Sequence, residues 1–577
     1  MKKPESYTLM QSFSKRIRYS LMNGRNSFMF MMALSVTLAS AAMLNAQPRD
    51  DGIPHLVKHG TATQLVVDGK PFLAVAGELG NSSASYMNYL NPFWMNLEQM
   101  HLNTLLVPVY WELIEPDEGH FDFTLIDSII HAARQHKLKI VFLWFGSWKN
   151  SMSCYAPLWV KTDEKRFPRA RTKTGAALEI LTPFNENSRG ADARVFAALM
   201  KHVRKIDGKS HTVIMVQVEN EIGMIPDARD YSSEADKAFN AAVPQELISY
   251  LEAHKDSLED SIKSKWEENG LKTSGTWEEV FGQGLGTDEL FMAWYFAGYT
   301  DFVAGAGKLE YPLPMYVNAA LIRPGYEPGQ YPSAGPLPHL FDVWKAAAPH
   351  LDFLAPDVYF PNFAEWISKF DRKGNPLFIP ECQNTQSIAN AYFAFAEHNA
   401  MGFSPFSIES LEDPQHNQVS QGYEVLHELT PLILENQGEG RMAGVLLDSA
   451  SQEARIILGN YVFTVKHEYA WRFAKRESGP TPRVGGLIIM LSSDQFIIAG
   501  TGLLITFRAR GASASSGETC AGGSSIAGIG TDNEGKFVDG KWVPGRSLNG
   551  DQTDQGRQVL LPGGEFSIQK VKLYNYY

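Results

Sequence analysis

Sulfur chemistry is what this 577-residue chain has least of. Cysteine occurs three times, at Cys154, Cys382 and Cys520. That is too few for a disulfide framework, and no pair has the C-x-x-C spacing of structural zinc. The 15 histidines show no H-E-x-x-H or similar spacing, so neither a catalytic metal nor another cofactor is expected. No G-x-G-x-x-G or Walker sequence occurs, which removes the phosphate-cradling loops of nucleotide enzymes. Positive charge is also short: 52 basic residues face 64 acidic ones, a formal charge of −12. A nucleic-acid partner, which needs a basic footprint, is not expected. No repeat of 20–50 residues is visible, which excludes solenoids and propellers.

Long apolar runs are equally scarce. The one candidate, Phe28 to Leu44, follows Lys2, Lys3, Lys15, Arg16, Arg18 and Arg25 and precedes small residues ending at Ala46. It is shorter than the ~20 residues a spanning helix needs. Basic, apolar and small residues in that order spell a secretory signal peptide over residues 1–46. The expectation is therefore an exported protein, periplasmic or extracellular, with no membrane span after cleavage. Met22 is an alternative start. Removing the leader takes the charge from −12 to −17.

Aromatic residues are abundant: 33 Phe, 22 Tyr and 12 Trp. A chain so supplied buries enough surface to offset its conformational entropy, and its length calls for at least two domains. From about residue 60 to 410, short β-rich runs alternate with amphipathic stretches. Strands are expected at Phe72–Ala76, Thr104–Tyr110, Ile140–Phe145, Val213–Val218, Met315–Ala319, Phe353–Val358, Leu377–Pro380 and Gly402–Ile408. Helices are expected at Leu125–Gln135, Ala191–Lys205, Gln245–Lys265 and Ile388–Glu397. Eight βα units predict an α/β fold, a (β/α)8 TIM barrel over 47–436. An open doubly-wound sheet is the competing architecture. Beyond residue 437, short strand-like runs separated by turn residues predict a smaller all-β, sandwich-like domain over 437–577. The stretch Gly511–Ser525 reads as a Gly/Ser-rich loop.

Two carboxylates stand at the ends of apolar barrel strands. In Val213-Ile-Met-Val-Gln-Val-Glu-Asn-Glu-Ile-Gly223, the two-residue strand period puts Gln217, Glu219 and Glu221 on one face, with Glu221 outermost and Glu219 one layer deeper. In Pro376-Leu-Phe-Ile-Pro-Glu-Cys382, Glu381 ends the run in the same way. A single such Glu is more often a cap or an ion-pair partner. Two of them at one barrel mouth are what glycoside hydrolysis requires: an acid for the leaving oxygen and a nucleophile for the anomeric carbon.

The segment Gln217-Val-Glu-Asn-Glu-Ile-Gly223 closely resembles the acid/base motif of glycoside hydrolase family 35, the β-galactosidases, within the retaining clan of (β/α)8 glycosidases. Trp111-Glu-Leu-Ile-Glu-Pro-Asp-Glu-Gly119 with Phe121-Asp-Phe123, and Ala156-Pro-Leu-Trp159, are similar to stretches after that clan's second and third strands. The resemblance implies Glu221 as acid/base after the fourth strand and Glu381 as nucleophile after the seventh. It also implies that Asn220 binds the sugar 2-hydroxyl. The implied activity is a retaining, exo-acting β-galactosidase on a carbohydrate substrate. A glycosidase for another terminal sugar (an arabinopyranoside or fucoside) and a non-catalytic glycan-binding barrel are the alternatives, and a homo-oligomer is left open. Three departures stand out: Gly77-Glu-Leu-Gly-Asn81 after the first strand, Leu143-Trp-Phe-Gly-Ser-Trp148 in the third, and no clear Trp on the eighth. From the residues themselves, Trp111, Trp148 and Tyr359 are candidate walls of a sugar subsite, as are Trp144 and Trp159. Glu78, Asn81 and Asn318 follow the first and fifth strands, where side chains reach the mouth.

Overall fold

The computed structural model describes residues 52–383, 388–470, 481–511 and 526–576. The expected leader, Cys520 and nearly all of the Gly/Ser-rich stretch lie outside the described residues.

Eight parallel strands close into a barrel in sequence order: β1 (Ala74–Glu78), β2 (Thr104–Tyr110), β3 (Lys139–Lys149), β4 (Val213–Asn220), β5 (Met315–Ala320), β6 (Phe353–Val358), β7 (Ile379–Cys382) and β8 (Gly402–Pro405). They read as near-continuous apolar runs because both faces are covered; every residue of β2 and β4 is buried. Strand ends account for most departures from expectation. Phe72 closes a separate short strand, and β7 lies two residues further on than expected. Strand β8 stops at Pro405 because Ser407 takes a left-handed φ of 52° and starts a turn. The expected helix Gln245–Lys265 is two, Gln245–His254 and Asp260–Glu268. Between them Glu259 is extended, its N–H turned onto Asp342 (2.7 Å) instead of back along the chain.

Two features had no sequence expectation. A three-stranded antiparallel sheet (His55–His59, Ala62–Val67, Lys70–Phe72) precedes the barrel and sends Leu65 and Val67 into its core. The 26-residue helix Leu285–Glu310 packs beside helix α1 (Glu186–Asp207). Its apolar residues run around the axis rather than along one stripe, as befits a helix covered on several sides.

Helix α2 (Ile388–Glu397) and helix α3 (Gln418–Asn436) complete the barrel. The β region follows as two antiparallel sheets. The six-stranded one runs in the order Met442–Leu447, Val484–Ser492, Gln495–Thr501, Ser567–Tyr576, Ile526–Val538, Lys541–Ser547; the other has four strands. The strand period of two divides the six-stranded sheet cleanly. Ile488, Phe496 and Ile498 join the four-stranded sheet in a sandwich core, while Leu487, Ile489, Ile497 and Ala499 join the barrel core. Glycines allow the close approach: a Cβ on Gly485 would meet the Ala389 carbonyl oxygen of α2 at 2.9 Å. Residues 52–577 form one compact unit. Among the described residues no helix is long and apolar enough to cross a membrane.

Candidate active site

The mouth of the barrel is assembled by an irregularity between β3 and β4. Trp144 pairs with Val218, but the next pairing is Lys149 with Asn220, so β3 spends five residues where β4 spends two. The bulge carries Lys149 and Asn150 over the end of β4. There the backbone is forced: Glu219 and Glu221 have φ of 61° and 45°, conformations that cost on the order of 1–3 kcal/mol for a side-chain-bearing residue. Three contacts hold the turn. The Glu221 N–H donates to Asn318 Oδ1 (2.9 Å), Ser151 Oγ donates to the Glu221 carbonyl (2.6 Å), and the Asn150 N–H donates to the Asn220 carbonyl (3.2 Å).

This turn aims Glu221 at Glu381. Glu221, Asp357 and Glu381 are all buried, and each offers an oxygen within 4.8 Å of the others. That lies below the ~6.5–9.5 Å separation that admits a water between an acid and a base, and near the ~5–5.5 Å of retaining glycosidases. Among the described residues they are also the one set of acids close enough to share a cation. Asp357 and Glu381 are register partners on β6 and β7. Asn318 on β5 ties the set together, since its Nδ2 donates to Asp357 Oδ2 (2.6 Å). The Tyr359 hydroxyl donates to Glu381 Oε1, and Asn150 Nδ2 donates to Glu221 Oε2 (2.5 Å).

Acids this close and this dry do not all ionise. Burial first, and then the charge of Glu381, pushes Glu221 up to about 7. Burial and the neighbouring Glu381, Glu221 and Glu78 charges push Asp357 well above the usual carboxylate range. Glu78 is raised for the same reasons. Glu381 is raised by burial, but Lys149 and the Tyr359 hydroxyl pull it back. Lys149 is the one buried lysine among the described residues. Its Nζ donates to Asn220 Oδ1 (2.7 Å), and its charge lowers Glu78, Glu221 and Glu381 alike.

Four sequence candidates are thus brought together with the two glutamates or beside them: Asn220, Glu78, Asn318 and Tyr359. Asn220 Nδ2, Glu78 Oε1, Glu381 Oε2, Asp357 Oδ1 and Asn81 Oδ1 are buried and unpartnered, so each has hydrogen-bonding capacity left for another group. Asn81 itself is placed by its carbonyl, which accepts from Tyr110 (2.8 Å).

Four expectations are corrected. Trp111 and Trp148 are no sugar walls, for both are fully enclosed. Trp111 donates to Glu115 (3.0 Å), and Trp148 packs edge-on against Tyr299 and Phe296. Trp144 is likewise enclosed, donating to Asp192 (2.9 Å). Glu219 is not one layer below Glu221. The left-handed kink turns it away from the barrel axis to accept from the Trp148 N–H (2.8 Å), beside Asp192 of α1. Asp357, Lys149 and Asn150 were missed. Asp357 carried the signal already used for Glu381, an acid ending the apolar run Phe353–Val358. Lys149 and Asn150 carried none, because a bulge places them.

Residues 64–277 match the family described as glycosyl hydrolases family 35, and residues 419–560 match a domain of unknown function, DUF5597. No curated protein matches the chain. Among solved structures, the β-galactosidase of Rahnella sp. R3 is similar at 15% identity and a TM-score of 0.43, over 63% of this chain and 57% of that one. A β-galactosidase from Bacillus circulans sp. alkalophilus is similar at 13% identity with the same coverage and TM-score. A family 42 β-galactosidase from G. stearothermophilus is similar at 10% identity and a TM-score of 0.48, over 87% of this chain and 98% of that one. The chain thus spans a little over half the length of the Rahnella and Bacillus enzymes.

Proposed function

We propose that this chain, whose residues 64–277 match the family 35 glycosyl hydrolases, is a retaining, exo-acting β-galactosidase. The observation that carries the reading is the Glu221–Glu381 pair, buried at the barrel mouth with oxygens within 4.8 Å. Glu381 attacks the anomeric carbon, its carboxylate oriented by the Tyr359 hydroxyl and its charged form favoured by Lys149 against the effect of burial. Glu221, protonated below about 7, delivers its proton to the glycosidic oxygen as that bond breaks. Water then displaces the sugar from Glu381, with Glu221 taking the proton back. Loss of the Glu381 charge in the covalent intermediate lowers Glu221 and suits it to act as a base. Asn220, whose free Nδ2 faces no protein partner, meets the 2-hydroxyl, a contact that tightens in the transition state.

Galactose as the terminal sugar is supported by the family match. The leader sequence supports export. A panel of 4-nitrophenyl β-glycosides tests the reading: the galactoside is turned over fastest, and an inert wild-type protein contradicts it.

A further inference from the structure

The two sides of the barrel mouth differ in how their side chains are held. On the side of β1 and β8, Glu409 accepts from the Gly80 N–H (3.0 Å) and from Ser83 Oγ, and both acids there, Glu78 and Glu409, are buried. On the side of β6 and β7, Tyr359 is 44% exposed while its hydroxyl stays on Glu381. Tyr359 also lines a cavity of about 520 Å³, within the ~300–1,000 Å³ range of small-molecule sites.

Two domains build that cavity. The barrel supplies Tyr359, Asn362 and Asn390 of α2; the β domain supplies Asp448, Ala450 and Arg483. The two halves are fastened where they meet, since Arg483 donates to the Pro361 carbonyl and pairs with Asp448 (3.5 Å). The lining has the chemistry of a neutral, hydroxyl-rich ligand. An aromatic face is available for C–H surfaces, the Asn362 amide lines the same wall, and Asp448 cancels the Arg483 charge, which disfavours an anion. Asn390 adds an independent sign. It lines the cavity and is only 5% exposed, and its Oδ1 is buried without a partner, so it gains by turning to a hydroxyl in that space.

We infer that this cavity is the subsite for the leaving-group sugar, and that the β domain matched to DUF5597 serves to complete it. The inference rests on the hydrolase reading above. A terminal sugar held between Glu221 and Glu381 extends its chain past Tyr359 into the cavity, where Asn390 accepts from a hydroxyl and the Asp448–Arg483 pair brackets a second.

The test compares the full chain with Ala450→Trp, which fills the cavity from an exposed loop, and with Asn390→Leu, which removes the acceptor at nearly constant volume. The substrates are 4-nitrophenyl β-D-galactopyranoside and the best cleaved of the β-1,3-, β-1,4- and β-1,6-linked galactobioses. The ratio of kcat/KM for the disaccharide to that for the aryl glycoside is expected to fall at least about tenfold in Ala450→Trp and about fivefold in Asn390→Leu, as for pockets that lose a shaped or hydrogen-bonded contact. An unchanged ratio in both, with wild-type melting, overturns the subsite while leaving the hydrolase reading intact. So does a wild type that cleaves the aryl glycoside but none of the disaccharides. A wild type inert towards the aryl galactoside removes the β-galactosidase reading and, with it, this subsite.

Discussion

Glu221 in the barrel and Asp532 in the β domain make an instructive pair. Both are buried acids pushed up to about 7, burial acting first in each and a neighbouring acid second, Glu381 for one and Glu534 for the other. By titration alone they are the same kind of group. Their surroundings separate them. Glu221 has Asn150 on one oxygen, Asn318 on its backbone, and two more acids within 4.8 Å. Asp532 is 1% exposed, with both carboxylate oxygens buried and unpartnered. A raised acid marks chemistry only where other groups converge on a space that a substrate can enter. Elsewhere it is a burial cost.

Substitution puts that contrast to the proof, and the heaviest loss is expected at Glu381. Glu381→Gln removes the nucleophile, so turnover should fall by roughly 10⁴-fold or more for every leaving group. Adding azide to that variant should yield the α-glycosyl azide, identifiable by NMR. Glu221→Gln comes next. With an unactivated leaving group the loss should be about 10²–10⁴-fold, the usual worth of general acid–base help. With a nitrophenyl leaving group the intermediate should form and accumulate as a burst, and azide should restore turnover as the β-azide. Equal losses for both leaving groups would remove Glu221 as the acid.

Lys149→Met is expected to act through charge. Wild-type activity should follow a bell-shaped pH profile. Its alkaline limb should lie near 7, where Glu221 loses its proton, and its acid limb above the ordinary carboxylate range, because Glu381 is raised. Removing the Lys149 charge should move both limbs upward. With the acid limb about one pH unit higher, kcat/KM at pH 5 should fall by about tenfold. A profile that keeps its limbs would show that Lys149 only positions Asn220.

Asp532 stands at the mild end. Its folded pKa is raised above the unfolded value, so the stability tied to its protonation is present at low pH and lost as pH rises through about 7. Asp532→Asn should therefore raise the melting temperature by a few °C at pH 8 and leave it nearly unchanged at pH 4, with kcat/KM untouched. A loss of activity there would put the β domain's chemistry back in question.

The pattern of what could be read in advance follows the same division. Strands β2 and β6 were legible to the residue because each is a buried apolar run bounded by polar turns. Glu221 and Glu381 were legible because an acid ending such a run is conspicuous. The helix Leu285–Glu310 was not, since a helix covered on several sides has no polar face to reveal its period. Glu219 was misplaced because the strand period fails where φ turns positive at Glu219 and Glu221. Lys149 reached the site through the β3–β4 register shift, and Trp111 and Trp148 fill the core as most large aromatics do. The local rules break where the site is built, since a mouth that holds several acids together departs from a regular barrel.

Double displacement at the Glu221–Glu381 pair stands or falls on stereochemistry. It is read by ¹H NMR of the first sugar released from an aryl β-galactoside, before mutarotation. Two successive inversions at one carbon give the β-anomer first, so the β-H1 signal should lead. An α-anomer appearing first would mean a single displacement by water, and would contradict Glu381 as the nucleophile.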